Sequence, residues 1–181
     1  MRFWANLLGY QAVWFCAVIG AGRGLWWTGA LVAATFIAWQ FVLSDDRRRD
    51  ARVLGAALLA GAAIESGLAA SGLLAYGAPL PSTSLAPAWI VALWGAFAMT
   101  VGVSLRFLQR SMLVAALFGA IGGPLAYLGA ARAFGAVAFA EPRWAGLAAL
   151  AIGWGLAMPL LAWVARPRAA AQMAAAPEAS P

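Results

Sequence analysis

The chain has 181 residues, 65% of them hydrophobic and only 10% charged, with a formal net charge of +6. A soluble domain of this size carries about a quarter charged residues, so this chain has too little polar surface to coat a globule in water and reads as a membrane protein. Its twelve basic residues are all arginine and it has neither histidine nor lysine, which excludes Ser-His-Asp and Cys-His nucleophiles, histidine-ligated haem, the usual zinc sets and lysine Schiff bases.

Six apolar stretches reach the roughly 20 residues needed to cross the hydrocarbon of a bilayer: residues 4–22, 25–43, 53–76, 88–107, 111–131 and 144–165. They predict an all-α integral membrane bundle of six transmembrane helices over residues 1–165, with residues 166–181 as a disordered cytoplasmic tail of low complexity. Arg2, an apolar run and small residues near Ala21 resemble a signal peptide, but Asn6, Gln11, Trp4 and Trp14 interrupt the run, so the segment is expected to stay as the first helix. Cys16 is the single cysteine and reads as a small buried hydrophobe.

The first two spans meet through Gly22-Arg23-Gly24. The second and third are joined by the charged run Ser44 to Arg52, and the third is followed by "GAPLPSTSLAP", whose three prolines forbid a regular helix. The link "AFGAVAFAEPR" before the sixth span is semi-apolar and suits the membrane interface. With six crossings, Arg2, Arg47, Arg48, Arg49, Arg52, Arg106, Arg110, Arg166 and Arg168 share one side, and only Arg23, Arg132 and Arg143 the other. That imbalance predicts both termini in the cytoplasm. Trp26, Trp27, Trp89 and Trp144 then fall at the outer interface, and Trp4, Trp39 and Trp163 at the inner one.

Arg47, Arg48 and Arg49 can contact lipid phosphates or simply fix topology against Asp45, Asp46 and Asp50. Arg132, like Arg23, lies on the side poor in arginine, where it can snorkel to the headgroups. No basic stripe interleaved with exposed aromatics appears, so membrane lipid is the expected partner, with no nucleic acid.

Glu65 is the lone carboxyl within a span. Counted from residue 53 it lies about 18 Å into a core roughly 30 Å thick, where a carboxyl is expensive whether ionised or protonated. Gly61, Ala62, Ala69 and Gly72 share its stripe, and small residues let another helix approach closely, so Glu65 should face the bundle interior. Candidate partners are Gln11 and the backbone of "GAIGGPLAY", where Pro124 frees a carbonyl near residue 120 and Gly122 and Gly123 permit bending. An interior polar spot is thus expected from Glu65, Gln11, Gly122, Gly123, Pro124 and Tyr127, with Asn6 nearer the cytoplasmic mouth. Two roles stay open for Glu65: a neutral group bonding helices together, or a ligand or proton site. Gly119 and Gly123 form a GxxxG step that favours packing inside the bundle over homodimerisation.

Ala51-Arg52, then Gly61 and Glu65, resemble half of the signature of the CDP-alcohol phosphotransferases. Ser44, Arg47 and Ala69 occupy the positions where that family needs aspartates, and one carboxylate cannot hold magnesium. No Gly-rich phosphate loop occurs. No catalytic residue, metal site or cofactor is therefore expected, and enzymatic activity is disfavoured.

Three stretches carry a resemblance: "NLLGYQAVWFCAVIGAGRGLWW", "PAWIVALWGAFAMTVGVSL" and "GAIGGPLAYLGAARAFGA". With the GGPxxY segment and Pro87, Trp89, Trp94 and Phe97, the chain resembles, over residues 6–165, the bacterial membrane proteins grouped as domain of unknown function 2878. Glu65 stands where those relatives usually have aspartate, and Gly102 where asparagine is expected. The resemblance implies a multi-pass protein of the bacterial inner membrane without established activity, accompanying enzymes that modify unsaturated fatty-acid chains. The expected function is non-catalytic lipid binding, or scaffolding of lipid-modifying membrane enzymes. The alternative is a small proton-coupled transporter or flippase using Glu65.

Overall fold

The computed structural model describes residues 2–167 of the chain. It is all-helical apart from one two-stranded sheet, in the order α1 (Arg2–Gly22), α2 (Trp26–Val42), α3 (Arg47–Ala70), β1 (Leu74–Tyr76), α4 (Ala88–Val101), α5 (Met112–Phe134), β2 (Val137–Phe139) and α6 (Arg143–Val164), with a 3₁₀ turn at Arg106–Arg110. The tail expected beyond residue 167, with Arg168, lies outside the described residues.

Four helices, α1, α3, α5 and α6, are long and apolar enough to cross a membrane. The other two are shorter than the sequence suggested. α2 has 17 residues and α4 has 14, so at about 1.5 Å per residue they rise near 25 and 21 Å. The expected span 88–107 stops at Val101 because the chain turns at Gly102 and re-enters as the 3₁₀ turn. Eleven of the fourteen α4 residues are buried, as befits a helix apolar on every side. It packs against α1, α2 and α3.

Local chemistry explains the other boundaries. Asp46 caps α3, its side chain accepting from Arg49 N at 2.9 Å, so this helix begins inside the arginine run rather than at residue 53. It ends at Ala70, not 76, where Gly72 takes a left-handed φ of 70°. Ser111 caps α5 and Gly135 ends it, again left-handed. The chain beyond α3 and the link expected at the membrane interface pair instead as antiparallel strands, Leu74 opposite Phe139 and Tyr76 opposite Val137. The sheet fastens the end of α3 to the α5–α6 connection and so fixes Tyr76.

α5 and α6 form a tight pair through the GxxxG step. A Cβ on Gly119 would meet the Trp154 carbonyl oxygen at 2.2 Å, and one on Gly123 the Trp154 ring at 2.5 Å. One surface expectation changes. Cys16 is exposed, because the buried stripe of α1 runs through Asn6, Val13, Ala17 and Gly20 and Cys16 falls off it. Trp89, expected at the outer interface, lies in the first turn of α4 and is covered by protein at 1% exposure, with its indole N–H donating to the Gly77 carbonyl at 2.9 Å.

Candidate functional site

Glu65 has no accessible surface. It sits about five residues before the end of α3, within one and a half turns of that end and not at the helix middle. Three donors from three other elements converge on it. The Trp94 indole N–H of α4 donates to Oε1 at 2.9 Å, the Tyr76 hydroxyl of β1 to Oε2 at 2.6 Å, and the Tyr127 hydroxyl of α5 to Oε1. Gly61 makes this possible one turn earlier: a Cβ there would lie 2.4 Å from Trp94 Cγ, so only glycine lets the indole reach across α3.

The other expected members of the polar spot lie elsewhere. Gln11 is exposed and is not among the groups that hold Glu65, since it projects from the side of α1 opposite the Asn6–Val13–Ala17 stripe. α5 runs unbroken through Pro124, and Glu65 is bound by side chains, not by a carbonyl freed near residue 120. Asn6 belongs to a second buried cluster. Its Nδ2 donates to Gln40 Oε1 at 2.9 Å and to the Met99 carbonyl at 3.1 Å, and its Oδ1 accepts from Ser104 Oγ at 2.7 Å. That cluster ties α1 and α2 to the end of α4.

Beside the Glu65 cluster lies a cavity of about 460 Å³ between α1, α4, α5 and α6. This falls in the size range of small-molecule sites, roughly 300–1,000 Å³. Trp94 and Tyr127 line it, as do Tyr10, Phe97 and Trp154, whereas Glu65 does not. The carboxyl is therefore a backing group. It holds the polar ends of two wall residues, and the rings of those residues bound the cavity. Trp94 in turn stacks on Trp154 with ring centroids 4.0 Å apart and planes 24° apart. The Trp154 indole nitrogen is buried without a partner among the described residues.

Exposed residues on two helices mark the mouth: Gln11 and Phe15 of α1, Phe118 and Leu125 of α5. Gly122 also lines the cavity, and a Cβ there would meet nothing within 4 Å. Gly122 and Gly123 thus differ: the first leaves open space, the second admits Trp154.

Of the arginines singled out, Arg47, Arg48 and Arg132 are exposed and Arg49 is half-buried. Arg49 pairs with Asp50 at 2.8 Å. Arg132 lies in the last turn of α5, where a cation suits the helix dipole. No three of Cys, Asp or Glu converge among the described residues.

Sequence reasoning missed Tyr76 and Trp94 as partners of Glu65. The pair Ser71-Gly72 was the available signal for the first, since a glycine after a helical run marks its end and returns the next residues toward it. Only the α3–α4 packing brings Trp94 into place.

The family model described as "Protein of unknown function (DUF2878)" matches residues 3–160. No curated protein and no solved structure matches the chain. The match covers most of the sequence, and the chain belongs to this family.

Proposed function

We propose that this family member crosses the bacterial inner membrane six times with both termini in the cytoplasm, and that it binds a lipid-soluble molecule without acting on it chemically. The cavity of about 460 Å³ is the observation that carries this reading. It is walled almost wholly by apolar and aromatic side chains, it reaches the outside between α1 and α5, and a buried hydrogen-bonded group holds its inner wall. Such a site retains an apolar molecule by burial of surface. Presentation of that molecule to lipid-modifying enzymes is the role that fits a binding site without catalytic side chains. Four helices of spanning length and the arginine imbalance support the topology. The transport reading needs Glu65 to meet solvent in turn from two sides, and its full burial behind Trp94 and Tyr127 favours a positioning role instead.

The test is mass spectrometry of the organic extract of protein purified in mild detergent, comparing wild type with Gly122→Leu. The larger side chain enters open space and obstructs the cavity. Wild type should carry a near-stoichiometric apolar molecule, and Gly122→Leu should lose most of it while keeping its melting temperature. Identical extracts from two folded proteins would overturn the reading.

A further inference from the structure

The chemistry of the cavity narrows what it takes, an inference that rests on the binding reading above. No charged side chain among the described residues lines the cavity, so none of them compensates within it a phosphate or an ammonium taken out of water. The depth of the mouth points the same way. Gln11 stands near the middle of α1 (Arg2–Gly22) and Gly122 near the middle of α5 (Met112–Phe134), both long enough to cross. With α1 and α5 set across a hydrocarbon layer roughly 30 Å thick, the opening would lie near its centre, and Trp89 and Val137 carry the cavity on toward one end of the bundle.

The walls add shape. Trp94 stacks on Trp154, Phe97 meets Trp154 edge-on at 5.4 Å, and Tyr10 meets Phe97 edge-on at 5.5 Å, a run of four aromatic rings in mutual contact. Gly122, on α5, leaves space free of side chain. A cavity walled by aromatic rings favours an unsaturated ring, which can meet their edges and faces, over branched saturated chains. Tyr10 and Gln11, whose side chains carry a hydroxyl and an amide, are among the residues that line the cavity, and such groups donate to an oxygen on a ring.

We propose that the occupant is an uncharged, flat, conjugated ring with a carbonyl or hydroxyl oxygen, carried on an apolar tail and dissolved in the bilayer core, and not a phospholipid held by its headgroup. The full chain in detergent micelles is titrated with decylubiquinone while tryptophan fluorescence is recorded. Squalane and dioleoylphosphatidylglycerol serve as competitors, and Gly122→Leu, verified as folded by its melting temperature, as the obstructed control. The expected result is saturable quenching, at least about tenfold weaker in Gly122→Leu and unaffected by either competitor. Competition by squalane or the phospholipid at equal concentration would overturn the assignment of ligand class while leaving the cavity a lipid site. Quenching that is non-saturable and identical in the two proteins, with no apolar molecule in the wild-type extract, would overturn both.

Discussion

Replacing Glu65 with leucine removes the acceptor shared by Trp94, Tyr76 and Tyr127 while keeping an apolar side chain of similar reach. A buried donor left without a partner costs about 1–3 kcal/mol, but hydrogen bonds inside membrane bundles average only about 0.6 kcal/mol because freed groups find other partners. Three donors then bracket the loss between about 2 and 9 kcal/mol. The two hydroxyls can rotate and the indole cannot, which places the expectation at about 2–4 kcal/mol, a fall in melting temperature on the order of 5–15 °C. Glu65→Gln keeps Oε1 for Trp94 and Tyr127, and its amide can donate to the Tyr76 oxygen, so it should cost under about 1 kcal/mol. The assay is thermal unfolding in detergent micelles, followed by the near-ultraviolet circular dichroism of the tryptophans. Wild-type and Glu65→Gln proteins should melt close together and Glu65→Leu well below them. A Glu65→Leu protein melting within about 2 °C of wild type would refute the claim that this carboxyl fastens four elements together.

Trp94→Phe and Trp154→Phe delete similar ring volumes but differ in polar accounting, since the first loses a hydrogen bond to Glu65 and the second loses an indole N–H that has no partner among the described residues. Trp94→Phe should be the more destabilising by at least about 1 kcal/mol in the same melts. Gly119→Ala drives a Cβ to 2.2 Å from the Trp154 carbonyl oxygen, whereas Gly122→Ala meets nothing within 4 Å. The first should cost about 1–3 kcal/mol and the second should gain up to about 1 kcal/mol from helix propensity, giving opposite shifts in melting temperature. Asn6→Leu strips the partners of Gln40 and Ser104 and should lower stability by about 1–3 kcal/mol without changing the extracted ligand.

What the sequence discloses follows the range of the forces involved. Six apolar runs are local signals, and each corresponds to a helix, yet the reduced lengths of α2 and α4 depend on turns at Leu43 and Gly102 that hydropathy does not register. The stripe of Gly61 and Ala69 is likewise local, and Glu65 lies on the buried side it indicates. The partners of Glu65 are another matter. Tyr127 stood within the Gly119–Tyr127 segment singled out for its glycines and proline, but it contributes a hydroxyl rather than a freed carbonyl. Tyr76 looked like the end of a helix because Leu74, Ala75 and Tyr76 are apolar, and only its pairing with Val137 across the chain makes it a strand. Gln11 looked interior because it is polar within a span. Its place at the mouth of a cavity emerges only when α1 and α5 are seen to stand apart.

The most direct test is an experimental structure of the protein grown from a lipidic mesophase supplemented with decylubiquinone. Non-protein density should fill the cavity lined by Tyr10, Phe97 and Gly122 and extend outward between α1 and α5, with Glu65 still bound to Tyr76, Tyr127 and Trp94 behind it. A map in which Phe15 and Phe118 close over that space, or in which the Glu65 carboxyl faces the acyl chains, would contradict the account.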